Sequence, residues 1–224
     1  MGEMTMFQRP DGKQCSGYYA RPGAGEGAPG VVVIQEWWGV NDQIKGVANR
    51  LAEIGYRALV PDLYRGKVTV EAAEANHLMT GLNFADAASQ DIRGAVQHLK
   101  KTSPKVGVVG FCMGGALTVL SAVFVKEVDA ASSWYGFPPE GAAEVKTISI
   151  PIQFHFAEQD QFFTPEQARA LEAKLKEGKV QYESYWYKAN HGFGNEANLI
   201  GTYNAEAANL AWQRTTEFLA KHLQ

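Results

Sequence analysis

The tightest constraint on this 224-residue chain is the stretch Val106-Gly-Val-Val-Gly110-Phe-Cys112-Met-Gly114-Gly115. Residues 106–109 form a short β-branched run, which reads as a buried strand. Ala116-Leu-Thr-Val-Leu-Ser-Ala122 then reads as a helix. Between them Cys112 stands at a strand-to-helix turn, with glycine two residues before it and two after. This is the nucleophile-elbow pattern G-x-S-x-G with cysteine in the central place. The flanking glycines have a steric reason. The turn is tight, the nucleophile's backbone is strained, and a Cβ on either flank would strike the neighbouring strand or helix. The thiol is raised at a helix N-terminus, where the positive end of the dipole favours thiolate and any oxyanion beside it.

The rest of the chain alternates in a way that suits such an elbow. Residues 5–9 and 13–20 flank Pro10-Asp11-Gly12 and predict a hairpin, since Asp-Gly is a strong turn signal. Cys15 lies in its second arm and reads as a small packed side chain. Residues 23–30 read as a Gly/Ala/Pro linker. Apolar strands are expected at 30–35, 56–60, 106–109, 129–135, 152–156 and 180–187. Helices are expected from about 42 to 54, 70 to 80, 85 to 100, 113 to 125, 165 to 176 and 205 to 223. Thr164 is the expected N-cap of the fifth of these, with Pro165 at its first position. Strands alternating with helices at short spacing imply a mostly parallel sheet covered on both faces. One α/β domain over residues 1–224 follows, with an N-terminal antiparallel hairpin.

Composition narrows the class. The formal charge of −3 and the lack of any Lys/Arg run offer nothing to nucleic acid. With only Cys15 and Cys112 there is no disulfide framework. No apolar run reaches the length of a membrane span. The first residues lack the basic and apolar regions of a secretory signal, and Met6 stands where a myristoylation motif needs Ser or Thr. A cytoplasmic protein without a membrane partner is therefore expected; the oligomeric state is not legible.

In a sheet of this kind chemistry sits at the carboxyl ends of the strands. Asp160 follows the strand at 152–156, and His191 follows the strand at 180–187. The chain order Cys112, Asp160, His191 is the nucleophile–acid–histidine order of the α/β-hydrolase fold. The expected roles follow from acid–base chemistry. Cys112 attacks a carbonyl carbon, His191 takes the thiol proton and later activates water, and Asp160 orients the imidazole. The backbone N–H groups of Met113 and Trp37 are the expected oxyanion donors. Glu158 is the rival of Asp160, which is preferred for its place just before Phe162-Phe163. His155 lies inside a strand and reads as a hydrogen-bonded core histidine. None of the five histidines has metal-ligand spacing, so no metal is expected.

These residues together resemble the dienelactone hydrolase family, the carboxymethylenebutenolidases, within the α/β-hydrolases. The likeness runs over nearly the whole chain. It rests on Val33-Ile-Gln-Glu36-Trp-Trp-Gly39-Val-Asn41, Val60-Pro-Asp-Leu-Tyr64, the elbow at Cys112, Trp134-Tyr135-Gly136, Asp160-Gln161-Phe162 and His191-Gly192-Phe193. The resemblance implies a hydrolase that opens a lactone or cleaves a small carboxylic ester through a cysteine acyl-enzyme, with no cofactor. It further implies that Glu36 interacts with the resting thiol and helps to take its proton once substrate binds. A carboxylate at a sheet rim beside two tryptophans, partly desolvated, is compatible with that role.

One departure bears on the substrate. The family's two carboxylate-binding arginines are absent: residues 70–83 contain none, and Gly192-Phe193-Gly194-Asn195 follows the histidine. A missing bidentate clamp removes the main reason to bind a carboxylated lactone. Arg65 is the nearest substitute. Trp37, Trp38, Tyr64, Tyr135 and Phe193 are the expected lining of an aromatic pocket for an uncharged or flat ester. Two other readings stand beside this one: a thioesterase or broad carboxylesterase on the same residues, and a non-catalytic binder or thiol sensor at Cys112.

Overall fold

The computed structural model describes residues 2–23 and 27–224. Met1 and residues 24–26, part of the expected linker, lie outside them. The described chain builds one eight-stranded sheet with strand order β1-β2-β4-β3-β5-β6-β7-β8. β1 (Glu3–Gln8) and β2 (Gln14–Ala20) form the expected hairpin, and β2 pairs antiparallel with β4 (Arg57–Pro61). From β4 onward every pairing is parallel, through β3 (Gly30–Ile34), β5 (Val106–Phe111), β6 (Ala130–Trp134), β7 (Ile152–Ala157) and β8 (Tyr182–Tyr187). The α/β class and the mostly parallel sheet are as the sequence predicts.

The central strands are apolar throughout because both faces are covered. In β3, Val31 and Val33 turn to one face and Val32 and Ile34 to the other, all fully buried. The first face is covered by α1 (Asp42–Glu53) and α7 (Ala205–Leu223), which bury Val47, Leu51, Phe218 and Leu219. The second is covered by α4 (Arg93–Lys100), α5 (Met113–Phe124) and α6 (Pro165–Glu177). Helix starts are set by local chemistry. Asn41 accepts from the N–H of Ile44, and Thr164 and Gln167 form a capping box behind Pro165.

The helix expected over 85–100 departs from the prediction. After α2 (Ala72–Thr80), α3 (Phe84–Asp86) is followed by a π-helical stretch, Ala87–Ile92, before α4 resumes the regular turn. The wide turn carries Asp91, whose carboxylate is buried and accepts from Arg9 and from Arg65. Arg9, itself buried, also pairs with Asp11 and Asp86. A buried carboxylate is tolerable only with such partners, so the hairpin is pinned to the segment that precedes β5. Cys15 sits beside this cluster. Its sulfur accepts from Arg65 Nη1 at 3.2 Å, and burial pushes the thiol up to about 12. It is a neutral packed group.

Candidate active site

The elbow follows directly from its glycines. Cys112 has φ 57° and ψ −121°, a left-handed conformation that costs a non-glycine residue on the order of 1–3 kcal/mol. Neighbours hold it there. Its N–H donates to Trp134 O at 3.0 Å, and its carbonyl accepts from Gly115 and Ala116. A Cβ on Gly114 would lie 2.5 Å from the carbonyl oxygens of Ile34 and Gln35, and one on Gly110 would run into Gly114 O. The close packing of β5, β3 and α5 therefore needs glycine at both positions. Met113 opens α5, so its N–H has no acceptor within the helix.

His191 and Asp160 reach the sulfur from two other strand ends. The chain leaves β7 at Ala157, and Asp160 Oδ1 accepts from the N–H groups of Phe162 and Phe163 at 2.8 and 2.9 Å. That turn fixes Oδ2 on His191 Nδ1 at 2.9 Å. Glu158 is exposed. After β8 the chain turns at His191-Gly192, where Gly192 has φ 75° and Thr202 Oγ1 donates to the His191 carbonyl. His191 Nε2 lies 3.2 Å from Cys112 Sγ. The imidazole is held between the ring of Phe163, stacked at 5.5 Å, and the edge of Tyr135 at 5.3 Å. Burial works against its charged form, but the Cys112 sulfur and the Asp160 carboxylate overcome this and raise it to about 10.

Glu36, buried beyond the end of β3, accepts from Tyr135 Oη at 2.9 Å and from Asn195 Nδ2 at 2.5 Å. Burial raises its carboxyl above the usual range, against the pull of both donors. The sulfur's hydrogen-bond partner is the imidazole, while Glu36 is held by Tyr135 and Asn195. His155 lies in the core, bonded to Tyr187 Oη and to Gln153.

A cavity of about 250 Å³ opens over the sulfur, lined by Glu36, Trp37, Trp38, Cys112 and His191. Met79, Phe162, Phe163, Gly192, Asn195 and Ile200 complete it. Neither Lys nor Arg is among these residues. Four of the aromatic and cationic residues named from the sequence as substrate contacts do not line it. Tyr64 is buried with its hydroxyl on Met113 Sδ, and Tyr135 is engaged with Glu36. Phe193 is fully buried against Trp134 and Tyr187. Arg65 turns to Asp91 through two contacts of 2.9 Å. In exchange the lining includes Met79, Asn195 and Ile200, which the sequence reasoning did not single out. Only the adjacency of Asn195 to the His191 turn offered any signal for them.

Among the described residues no three His, Cys, Asp or Glu side chains converge as a metal ion would require. No described helix is long and apolar enough to cross a membrane.

Comparison with known proteins agrees with this architecture. Residues 15–223 match the model of the dienelactone hydrolase family. Protein usf of Aquifex pyrophilus is 35% identical over all of both chains. A protein of Aquifex aeolicus named "Putative carboxymethylenebutenolidase" is 31% identical, again over all of both. The crystal structure of a dienelactone hydrolase-like promiscuous phosphotriesterase from metagenomic libraries superposes with a TM-score of 0.85 at 24% identity, covering 100% of this chain and 99% of that one. With an elbow cysteine at the end of β5, a sheet of matching shape and a family match from Cys15 to Leu223, this chain belongs to the dienelactone hydrolase family.

Proposed function

We propose that the protein hydrolyses an uncharged carboxylic ester or lactone through a thioester on Cys112. The observation that carries the reading is the continuous contact from Cys112 Sγ through His191 to Asp160, at 3.2 and 2.9 Å, at the base of an apolar cavity. Family membership and the name of the Aquifex aeolicus relative support an ester- or lactone-cleaving reaction.

In this reading the thiol proton passes to His191 Nε2 and the sulfur attacks the carbonyl carbon. The oxyanion is met by the N–H groups of Met113 and Trp37. Collapse breaks the carbon–oxygen bond, and His191 gives its proton to the leaving oxygen. A water then loses a proton to the same nitrogen, adds to the thioester and releases the acid, restoring the thiol. Asp160 keeps the ring in the tautomer that leaves Nε2 free. Glu36 shares in taking the thiol proton only after leaving Tyr135 and Asn195. Its carboxylate, and the lack of Lys or Arg among the lining residues, disfavour an anionic substrate. Both cysteines are free, which suits a reducing cytoplasm.

The test is a panel of aryl esters, lactones and acyl-thioesters ranked by kcat/KM, with mass analysis of Cys112 during turnover. An acyl adduct on Cys112 is expected. Cys112→Ala should abolish turnover with the fold intact, and Cys112→Ser should be much slower because serine is the weaker nucleophile near neutral pH. A Cys112→Ala protein that keeps its esterase activity would refute the proposal. A thioester ranking first would move the substrate class to thioesterase. A thiol that reacts with peroxide yet takes no acyl group would point to a sensor.

A further inference from the structure

The catalytic cavity has a neighbour. A second cavity of about 240 Å³ lies between the segment after β6 and helix α6, and shares Phe162 and Phe163 with the first. Phe137, Val145 and Leu171, all buried, belong to its apolar lining. Lys174 also borders it, but its Nζ is held by Glu140 at 2.7 Å, so its charge is paired.

The shared wall is also the flank of the catalytic imidazole. Phe163 stacks on His191 at 5.5 Å and meets Phe137 edge-on at 5.2 Å. Phe162 lies 5.0 Å from His191 and is 65% exposed. In the proposed reaction the oxygen that leaves the acyl carbon takes its proton from His191 Nε2. The group attached to that oxygen must therefore depart on the imidazole side of the carbon. Two of the rings packed against that imidazole, Phe162 and Phe163, are the ones that separate the cavities.

We infer that the second cavity is the leaving-group site, receiving the apolar alkyl or aryl alcohol portion of an ester whose acyl portion stays over Cys112. This rests on the acyl-enzyme reading above. No new chemistry is needed: the carbon–oxygen bond breaks, the alcohol leaves with the proton from His191, and the acyl group remains on sulfur. In a lactone the leaving oxygen stays tethered to the acyl carbon, so the site gives it no advantage.

Two ester series test this on the full chain. One holds the acid at acetate and varies the alcohol from methyl to butyl, hexyl and benzyl. The other holds a methyl ester and lengthens the acid. Wild type should gain about tenfold or more in kcat/KM from methyl to hexyl or benzyl acetate, the range a filled apolar pocket supplies. Ala170→Trp fills the site from an exposed position of α6 and touches none of the residues placed in catalysis. It should erase that gain while leaving methyl acetate, lactones and the acid series unchanged. A flat alcohol series in active wild type, or a variant that alters the acid series instead, overturns the assignment. A second measurement does not depend on turnover or on that variant folding. Benzyl alcohol titrated into the Cys112→Ala protein should shift the NMR methyl signals of Ala170 and Leu171, and unmoved signals overturn the site. Turnover of no ester, with those signals still shifting, would remove the acyl-enzyme reading and the leaving-group role with it, leaving a binding cavity of another purpose.

Discussion

Replacing Asp160 by asparagine isolates the role of the carboxylate because the site can accept the amide in only one good orientation. Asp160 Oδ1 already takes the N–H groups of Phe162 and Phe163 at 2.8 and 2.9 Å. An amide nitrogen cannot accept them, and leaving two part-buried donors unmet costs up to about 1–3 kcal/mol each. The asparagine oxygen therefore occupies that place, and its NH2 group faces His191 Nδ1, where the carboxylate oxygen stood at 2.9 Å. A donor there forces Nδ1 to accept, so the ring carries its proton on Nε2. That nitrogen faces Cys112 Sγ at 3.2 Å and can no longer take the thiol proton. The equivalent exchange in the serine-triad template costs about 10⁴ in rate, roughly 5 kcal/mol of barrier. We expect a loss of about 10³–10⁴ in kcat/KM, with little change in the thermal midpoint because both backbone donors remain satisfied. Initial rates with an aryl acetate across pH measure the first quantity, and nitrogen NMR of the imidazole reads the tautomer. A folded Asp160→Asn protein within tenfold of wild type would refute the reasoning.

Three further outcomes follow. Burial and the nearby charge of Arg214 hold His155 down at about 3 against an ordinary 6.5, so the unfolded chain binds its proton first as pH falls. Its contribution is present above 6.5 and drains away toward 3, about 5 kcal/mol over the window. Urea unfolding at pH 7 and pH 4 should show about 3 kcal/mol of that loss, the part that falls between 6.5 and 4, and His155→Gln should flatten it. Glu36 has the opposite sign: its raised carboxyl means the native state keeps the proton longer, so stability falls as pH rises through the folded value. Glu36→Gln should gain on wild type in thermal midpoint as pH is raised and match it in acid; a gain that appears only in acid would contradict the sign. Finally, a Cβ on Gly136 would collide with the Cys112 carbonyl oxygen. Gly136→Ala should lose about 4 kcal/mol or more in chemical denaturation, or fail to fold, and a neutral result would mean that the elbow yields more easily than its packing suggests.

The sequence was most informative where local chemistry decides the outcome. The Asp-Gly turn of the hairpin, the Thr164 capping box and the apolar runs of β3, β5 and β7 each carry their own signal, and the structure follows them. The placement of Cys112, Asp160 and His191 at strand ends was legible because strand ends are marked by where apolar runs stop. What escaped depends on distant partners. Glu36 is held by residues 99 and 159 positions away, which no local pattern encodes. Arg65 turns from the pocket because Asp91 is buried in a π-helical stretch, and one extra residue in a turn leaves the apolar periodicity nearly unchanged. Phe193 lies two residues past His191, yet the positive φ of Gly192 separates them and the phenyl ring goes into the core. An aromatic near a rim can be read from a sequence; the direction in which it points cannot.

The sulfur, the imidazole and the carboxylate are delivered by β5, β8 and β7, and β6 lies between β5 and the other two. The parts of the proposed machinery are thus secured at opposite sides of a strand that contributes none of them. On the proposed mechanism, a chain emerging from the ribosome holds its nucleophile long before it holds its base, and catalysis can begin only when the final parallel pairing is laid down. Turnover is therefore a late and stringent reporter of assembly: truncated products and half-folded species should be silent, and on denaturation catalytic competence should vanish no later than the sheet itself.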